Sequence, residues 1–149
     1  MPDLIRHIAC CIDDSDAGTA ALDHAQMLAE LTGAPLSVVH VIAPPPFLLT
    51  MAAGIGGAPV HDDDAQREAG LAWLQAVADG RGDARAVLLE GHPGETACAW
   101  AVAESVDMIV VASHRGRVER ALLGSFASYV SHHAPCPVLL IPPTAAHES

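Results

Sequence analysis

The sequence predicts an α/β protein built on an open, doubly wound parallel sheet with helices on both faces. Three observations carry this expectation. Strand-like and helix-like segments alternate in the order β-α-β-loop-α-β-α-β-α-β along the 149 residues. The strand-like segments are short, near-continuous apolar runs, the pattern of strands covered on both sides. The chain is 51% hydrophobic but only 3% aromatic, so its core is Ala, Val, Leu and Ile. That composition suits close-packed helices laid on β-branched strands. Alternation of this kind implies parallel strands joined by right-handed crossovers. The length suits one domain spanning 1–149.

Each element has its own signal. Residues 4–12, LIRHIACCI, form an apolar run closed by Asp13-Asp14-Ser15 and read as the first strand. Ala17, Ala21, Ala25, Leu28 and Ala29 then recur at helical spacing, with Ser15 as N-cap and Gly33 as stop. The second strand is LSVVHVI, 36–42. Residues 43–61 hold four prolines and three glycines and predict a long loop, either lid, binding loop or disordered segment. Asp62, Asp63 and Asp64 open a helix to about Ala78, where acids complement the helix dipole without any metal. ARAVLLEG (84–91) is the third strand, and Pro93 takes the first position of the next helix. DMIVVAS (107–113) is the fourth strand, and a helix from Ser125 to about His133 leads to the fifth, PVLLIP (137–142).

Charge and composition exclude several functions. The formal net charge is −11 and the chain contains no lysine. Such a surface repels nucleic-acid backbones and anionic lipid, so neither is expected as a partner. No window holds the run of about 18 apolar residues that a membrane span needs, and MPDLIRHIACCID lacks the form of a signal peptide. A cytoplasmic protein is expected. Cys10, Cys11, Cys98 and Cys136 form no CxxC pair and read as buried small hydrophobes. Without lysine, a phosphate site must rely on backbone N–H groups, helix N-termini and arginine.

Arginine is gathered in one place. Residues 112–125, ASHRGRVERALLGS, carry Arg115, Arg117 and Arg120, three of the seven basic residues, between Gly116 and Gly124. In an open α/β sheet, ligands sit beyond the carboxyl ends of the strands where strand order reverses. Those ends lead into Asp13, Ile42, Gly91 and Ala112, so this stretch lies on the binding edge.

Taken together, IACCIDDSDAGTAALDHA, VVHVI and DMIVVASHRGRVERALLGSFASYVSHHAPCPVLLIP resemble the universal stress protein family. The resemblance covers essentially the whole chain and is most specific in the last block. It implies a five-stranded sheet in the order 3-2-1-4-5, with a homodimer formed through the last strand, Val138, Leu139, Leu140 and Ile141. It also implies stress-response regulation, in which many members bind ATP, with Mg2+ as the accompanying ion, and others bind no nucleotide. Carried onto this sequence, the nucleotide site comprises Ile12 and Asp13 at the first strand and Val41 at the second. Ala112, His114, Arg115, Gly116 and Arg117 would form the loop, and Gly124, Ser125 and Phe126 the phosphate-facing helix start.

The match departs from the binding pattern at the loop. Binders carry glycine, two residues, glycine, nine residues, then Gly-Ser or Gly-Thr. Here Ala112 replaces the first glycine, Arg115 the second, and one residue is missing before Gly124. Glycine at the second position lets backbone N–H groups approach phosphate without a Cβ between them. The expectation is a phosphate loop of altered register, with Gly116 serving one step along.

Plainer readings stay open beside these. Asp13 is equally a turn residue or helix cap, and Gly124-Ser125 an ordinary helix start. The arginines are also simple solvated charges. His40, His92 and His114 all fall near carboxyl ends of strands and could meet at a metal, although His40 also reads as packed within its strand. GIGGAP (54–59) lacks the spacing of a dinucleotide fingerprint. Trp73 and Trp100 read as helix-face core residues. No Ser-His-Asp or Cys-His order marks a nucleophile, so an enzyme is not expected beyond slow ATP hydrolysis. Two functions follow: an adenine-nucleotide-binding regulator, or a protein acting only through dimerisation and an unidentified protein partner.

Overall fold

The computed structural model describes residues 5–13, 16–44, 63–113 and 123–142. Nine elements run in the expected order. They are β1 (Ile8–Cys11), α1 (Asp16–Thr32), β2 (Leu36–Ile42), α2 (Asp63–Asp79) and β3 (Arg85–Glu90), then α3 (Pro93–Ala103), β4 (Met108–Ala112), α4 (Ser125–His133) and β5 (Val138–Ile141). The strands form one sheet in the order β3-β2-β1-β4-β5, and every neighbouring pair is parallel. β2 spans the expected 36–42, while the other four strands are slightly shorter than the apolar runs that signalled them. Burial of a side chain does not require a ladder partner, so hydropathy outruns the hydrogen-bonded element.

Residue alternation divides the core between two faces. Ile8 and Cys10 of β1, Val38 of β2 and Val110 of β4 pack with Ala21, Leu22 and Ala25 of α1 and Leu74 and Ala78 of α2. Ala9, Cys11, Val39, Ile109 and Val111 point the other way, onto Ala97, Cys98 and Ala101 of α3 and Ala127 and Val130 of α4. The alanine-rich helix faces let the helices settle close to the sheet. Fully burying one leucine such as Leu22 contributes about 1.5–3 kcal/mol. At the end of α1, Gly33 adopts φ +74 and its N–H donates to the Ala29 carbonyl at 2.8 Å. This left-handed stop needs glycine.

The polar residue Ser37 is buried within β2, where its Oγ bonds His7 Nε2 at 2.8 Å. The four thiols are free, with Cys10, Cys11 and Cys98 buried. Burial, followed by the neighbouring Cys98 and Cys136, pushes the Cys11 thiol from 9.0 up to about 12. Cys10 is likewise raised well above its ordinary value, first by burial. Both are protonated, unreactive packing groups at neutral pH. No helix among the described residues is long and apolar enough to cross a membrane. Of the long loop expected at 43–61, only Ala43 and Pro44 fall among the described residues.

The order 3-2-1-4-5 places the candidate site. The chain builds outward from β1 to β3, then α3 carries it back across the sheet to β4 beside β1. The outgoing helices cover one face and the returning helices the other, so connections leave β1 and β4 in opposite directions. A crevice opens between their carboxyl ends.

Candidate functional site

A cleft of about 1050 Å³ occupies that crevice. Cys11, Ile12 and Asp13 enter it from β1, His40, Val41 and Ile42 from β2, and Val111 and Ala112 from β4. Gly124, Ser125 and Phe126 at the start of α4 close one end, and Gly70 and Trp73 of α2 wall the other side. Its size is at the upper end for small-molecule sites.

The strands end at different heights, which exposes backbone to the cleft. The β1–β2 ladder ends at Cys11 opposite Val39, whereas β2 continues to Ile42 beside Glu90 of β3. The Ile12 N–H donates to the Val39 carbonyl at 2.8 Å, and the Gly91 N–H donates to the Ile42 carbonyl at 3.0 Å. Backbone groups of successive strand residues face opposite neighbours. Val39 and Val41 therefore face β1, and His40 and Ile42 face β3. Because β1 has ended, the polar backbone groups of Val41 point into the space beside Asp13. A continued ladder would bring the Val41 N–H to the Ile12 carbonyl. His40 takes that place instead, its Nδ1–H donating to the Ile12 carbonyl at 2.8 Å.

At the opposite end, α4 begins without a side-chain cap. Gly124 is its N-cap, in extended geometry (φ −60, ψ 153), and no acidic residue stands in the first turn. The first N–H groups of a helix have no intrahelical partner and carry the positive end of its dipole. They are thus open to an anion. The position of this turn is held by two backbone bonds. The Ser113 N–H donates to the Ile141 carbonyl at 2.9 Å, and the Gly124 N–H donates to the Ser113 carbonyl at 2.8 Å. These tie the end of β4 to β5 and to the start of α4.

Seven of the residues expected at a nucleotide site line this one cleft: Ile12, Asp13, Val41, Ala112, Gly124, Ser125 and Phe126. They come from four separate elements or their ends. His114, Arg115, Gly116 and Arg117 lie outside the described residues, as does Arg120. Ile12 contributes little free backbone, since its N–H and its carbonyl are both engaged. The lining also includes Trp73, His40 and Tyr129, which the sequence does not mark as nucleotide-site residues. Trp73, read as core, is half-buried, packs against the core and also walls the cleft. Its ring meets His40 edge-on, with centroids 5.2 Å apart and planes at 78°. Tyr129 of α4 lines the cleft beside Gly94 and Glu95 of α3. Only the packing of two helices brings these together, and no local pattern announces it.

The described lining contains the acids Asp13 and Glu95 and no arginine. Three arginines elsewhere face carboxylates. Arg67 grips Glu90 through Nε at 2.9 Å and Nη2 at 2.7 Å, Arg81 pairs with Asp23, and Arg85 lies 4.0 Å from Glu104. Within the described part of the cleft, positive character therefore comes from backbone N–H groups at helix starts rather than from arginine. No group of three His, Cys, Asp or Glu among the described residues could hold a metal ion. His92 lines the cleft with His40, while His114, the third member of the considered trio, falls outside the described residues.

The universal stress protein family model matches residues 4–142. The chain belongs to the universal stress protein family. A universal stress protein of Thermus aquaticus is 33% identical over 143 residues, covering 93% of this chain and 99% of that one. Among solved structures, universal stress protein UspA from Lactobacillus plantarum is 26% identical, with a TM-score of 0.66 over 91% of this chain and 97% of its own. The universal stress protein from Archaeoglobus fulgidus in complex with dAMP is 23% identical, with a TM-score of 0.63 over 93% and 98% of the two chains. The cleft thus sits on a sheet shared with other universal stress proteins. The stretch that carries Arg115 at the second glycine position follows Ser113 in the chain and lies outside the described residues.

Proposed function

We propose that this universal stress protein is a cytoplasmic stress-response regulator that binds an adenine nucleotide across the carboxyl ends of β1, β2 and β4. One observation carries the reading. Asp13 and the Val41 backbone at one end, and a helix start without a side-chain cap at Gly124-Ser125 at the other, line one cleft. A nucleotide has that same division, with a flat hydrogen-bonding base at one end and an anion at the other. The base end lies past the terminus of β1, where unpaired strand backbone can imitate the edge of a base pair. The phosphate end uses helix N–H groups, as a lysine-free chain requires. The Archaeoglobus fulgidus relative in complex with dAMP supports the adenine assignment. ATP with Mg2+ is the ligand form to test first, and slow hydrolysis is the most chemistry the cleft would carry.

A second reading has its own support in the sequence. Arg115 in the second glycine position and the missing residue before Gly124 favour a member that binds no nucleotide. Such a member would act through dimerisation along β5 and contact with another protein. Calorimetric titration of nucleotide-stripped protein with ATP and AMP, with and without magnesium, separates the two. Micromolar binding supports the nucleotide reading. Absence of both heat and thermal stabilisation overturns it in favour of the second.

A further inference from the structure

We propose that His40 is a specificity-determining residue of the cleft, selecting a base that offers an amino donor over one that offers a keto oxygen. This rests on the adenine-nucleotide reading above and deepens it. The argument begins with the tautomer. A backbone carbonyl can only accept, so the 2.8 Å contact between His40 Nδ1 and the Ile12 oxygen requires the proton to be on Nδ1. In the neutral ring the other nitrogen, Nε2, then carries a lone pair and accepts. Nε2 has no hydrogen-bond partner among the described residues, and the half-buried His40 ring lines the cleft.

The ring is held by two contacts rather than one. Ile12 fixes the Nδ1 edge, and Trp73 of α2 meets the ring in a T-shaped arrangement at 5.2 Å. Rotation of the imidazole to present Nδ1 instead would break the Ile12 bond and leave that carbonyl without the Val41 N–H it would meet in a longer ladder. The acceptor on Nε2 is therefore preorganised. His40 shares the cleft lining with Asp13, whose carboxylate is also an acceptor, and with Val41, and its bond to the Ile12 carbonyl sets the ring next to the Ile12–Asp13 peptide. Two acceptors at one end of a cleft suit the exocyclic amino group of adenine. The same two face an unfavourable lone pair when the base is hypoxanthine or guanine.

The test compares AMP with IMP, which differ at this edge, on the full chain. The wild-type protein is expected to bind AMP at least about tenfold more tightly than IMP, the scale on which an unpaired polar group discriminates. His40→Asn keeps an N–H near the Nδ1 position for the Ile12 carbonyl but has no atom at Nε2. Its melting temperature should stay close to wild type while the AMP-to-IMP ratio falls towards one. His40→Gln, which returns an amide oxygen to the neighbourhood of Nε2, should recover part of the preference. A loss of stability alone would move both affinities together and leave the ratio unchanged. An unchanged ratio in His40→Asn would show that Asp13 and Val41 read the base without the imidazole, overturning the proposal. If His40→Asn does not fold, a His40→Ala variant that keeps the full AMP preference, or a wild-type ratio near one, overturns it equally. Failure of both nucleotides to bind wild type would instead remove the underlying nucleotide reading.

Discussion

The ring of Tyr129 fills the space that a Cβ on Gly94 would need. A methyl group built there would lie 2.7 Å from Tyr129 Cγ and 3.0 Å from its Cβ, with Cδ1 nearer still. The contact docks α4 onto the first turn of α3. Tyr129 also stacks on His133, with ring centroids 4.1 Å apart, so the ring is held from both sides. Tyr129 is one turn beyond Ser125, and this docking helps set where α4 begins.

Gly94→Ala should therefore destabilise the protein. The clashing atoms are at the root of the tyrosine side chain, so relief requires α4 itself to shift. Overpacking of this kind costs about 1–3 kcal/mol, against roughly 1 kcal/mol that alanine returns through helix propensity. A lower melting temperature in differential scanning calorimetry is the expected result. An unchanged or raised value would show that α3 and α4 separate freely.

Gly124→Val tests the phosphate end. The N-cap geometry of Gly124, φ −60 and ψ 153, is open to valine, and loss of a favoured N-cap residue should cost about 1 kcal/mol while leaving the protein folded. The branched side chain would stand before the first N–H groups of α4. Titration with ATP should then show no binding. Unchanged affinity would place the phosphates elsewhere.

Alkaline pH should weaken the fold through Cys11 and Cys10. Burial holds the Cys11 thiol protonated to about pH 12 in the native state, while the unfolded thiol ionises near 9.0. Between these values the native state retains more protons than the unfolded state, so stability falls as pH rises. Below pH 9 both states are protonated and the effect vanishes. Above it, each such thiol removes about 1.4 kcal/mol per pH unit. Denaturant melts from pH 8 to 11 should show a shallower decline in Cys11→Ala than in wild type. Parallel slopes would exclude the thiol as the cause.

The proposed homodimer is tested at β5. Among the described residues this strand pairs with β4 alone, and Val138, Leu139 and Leu140 are only half-buried. Leu140→Lys places a charge on that edge, which opposes strand pairing. Light scattering should give twice the chain mass for wild type and the single-chain mass for the variant. A monomeric wild type would end the dimer proposal.

Taken by itself, the sequence determined the elements and their order. Those follow from local physics: apolar runs such as DMIVVA mark buried strands, alanine spacing marks α1, and Gly33 and Pro93 mark a helix end and a helix start. The same local reading put Asp13, Ile42, Gly91 and Ala112 at the carboxyl edge, because strand ends are visible in the chain, and the family resemblance added Ile12, Val41 and the Gly124–Phe126 helix start. It could not assign the neighbours of those residues. The tertiary structure decided that β2 outruns β1, which is a matter of register between strands about 25 residues apart in the chain. It turned His40 from a packed strand residue or metal candidate into a ring locked on the Ile12 carbonyl. It also brought Trp73 and Tyr129 to opposite walls of one cleft, from helices on opposite faces of the sheet. Hydropathy and spacing report what a residue buries, whereas contacts across the sheet depend on how separately specified elements pack.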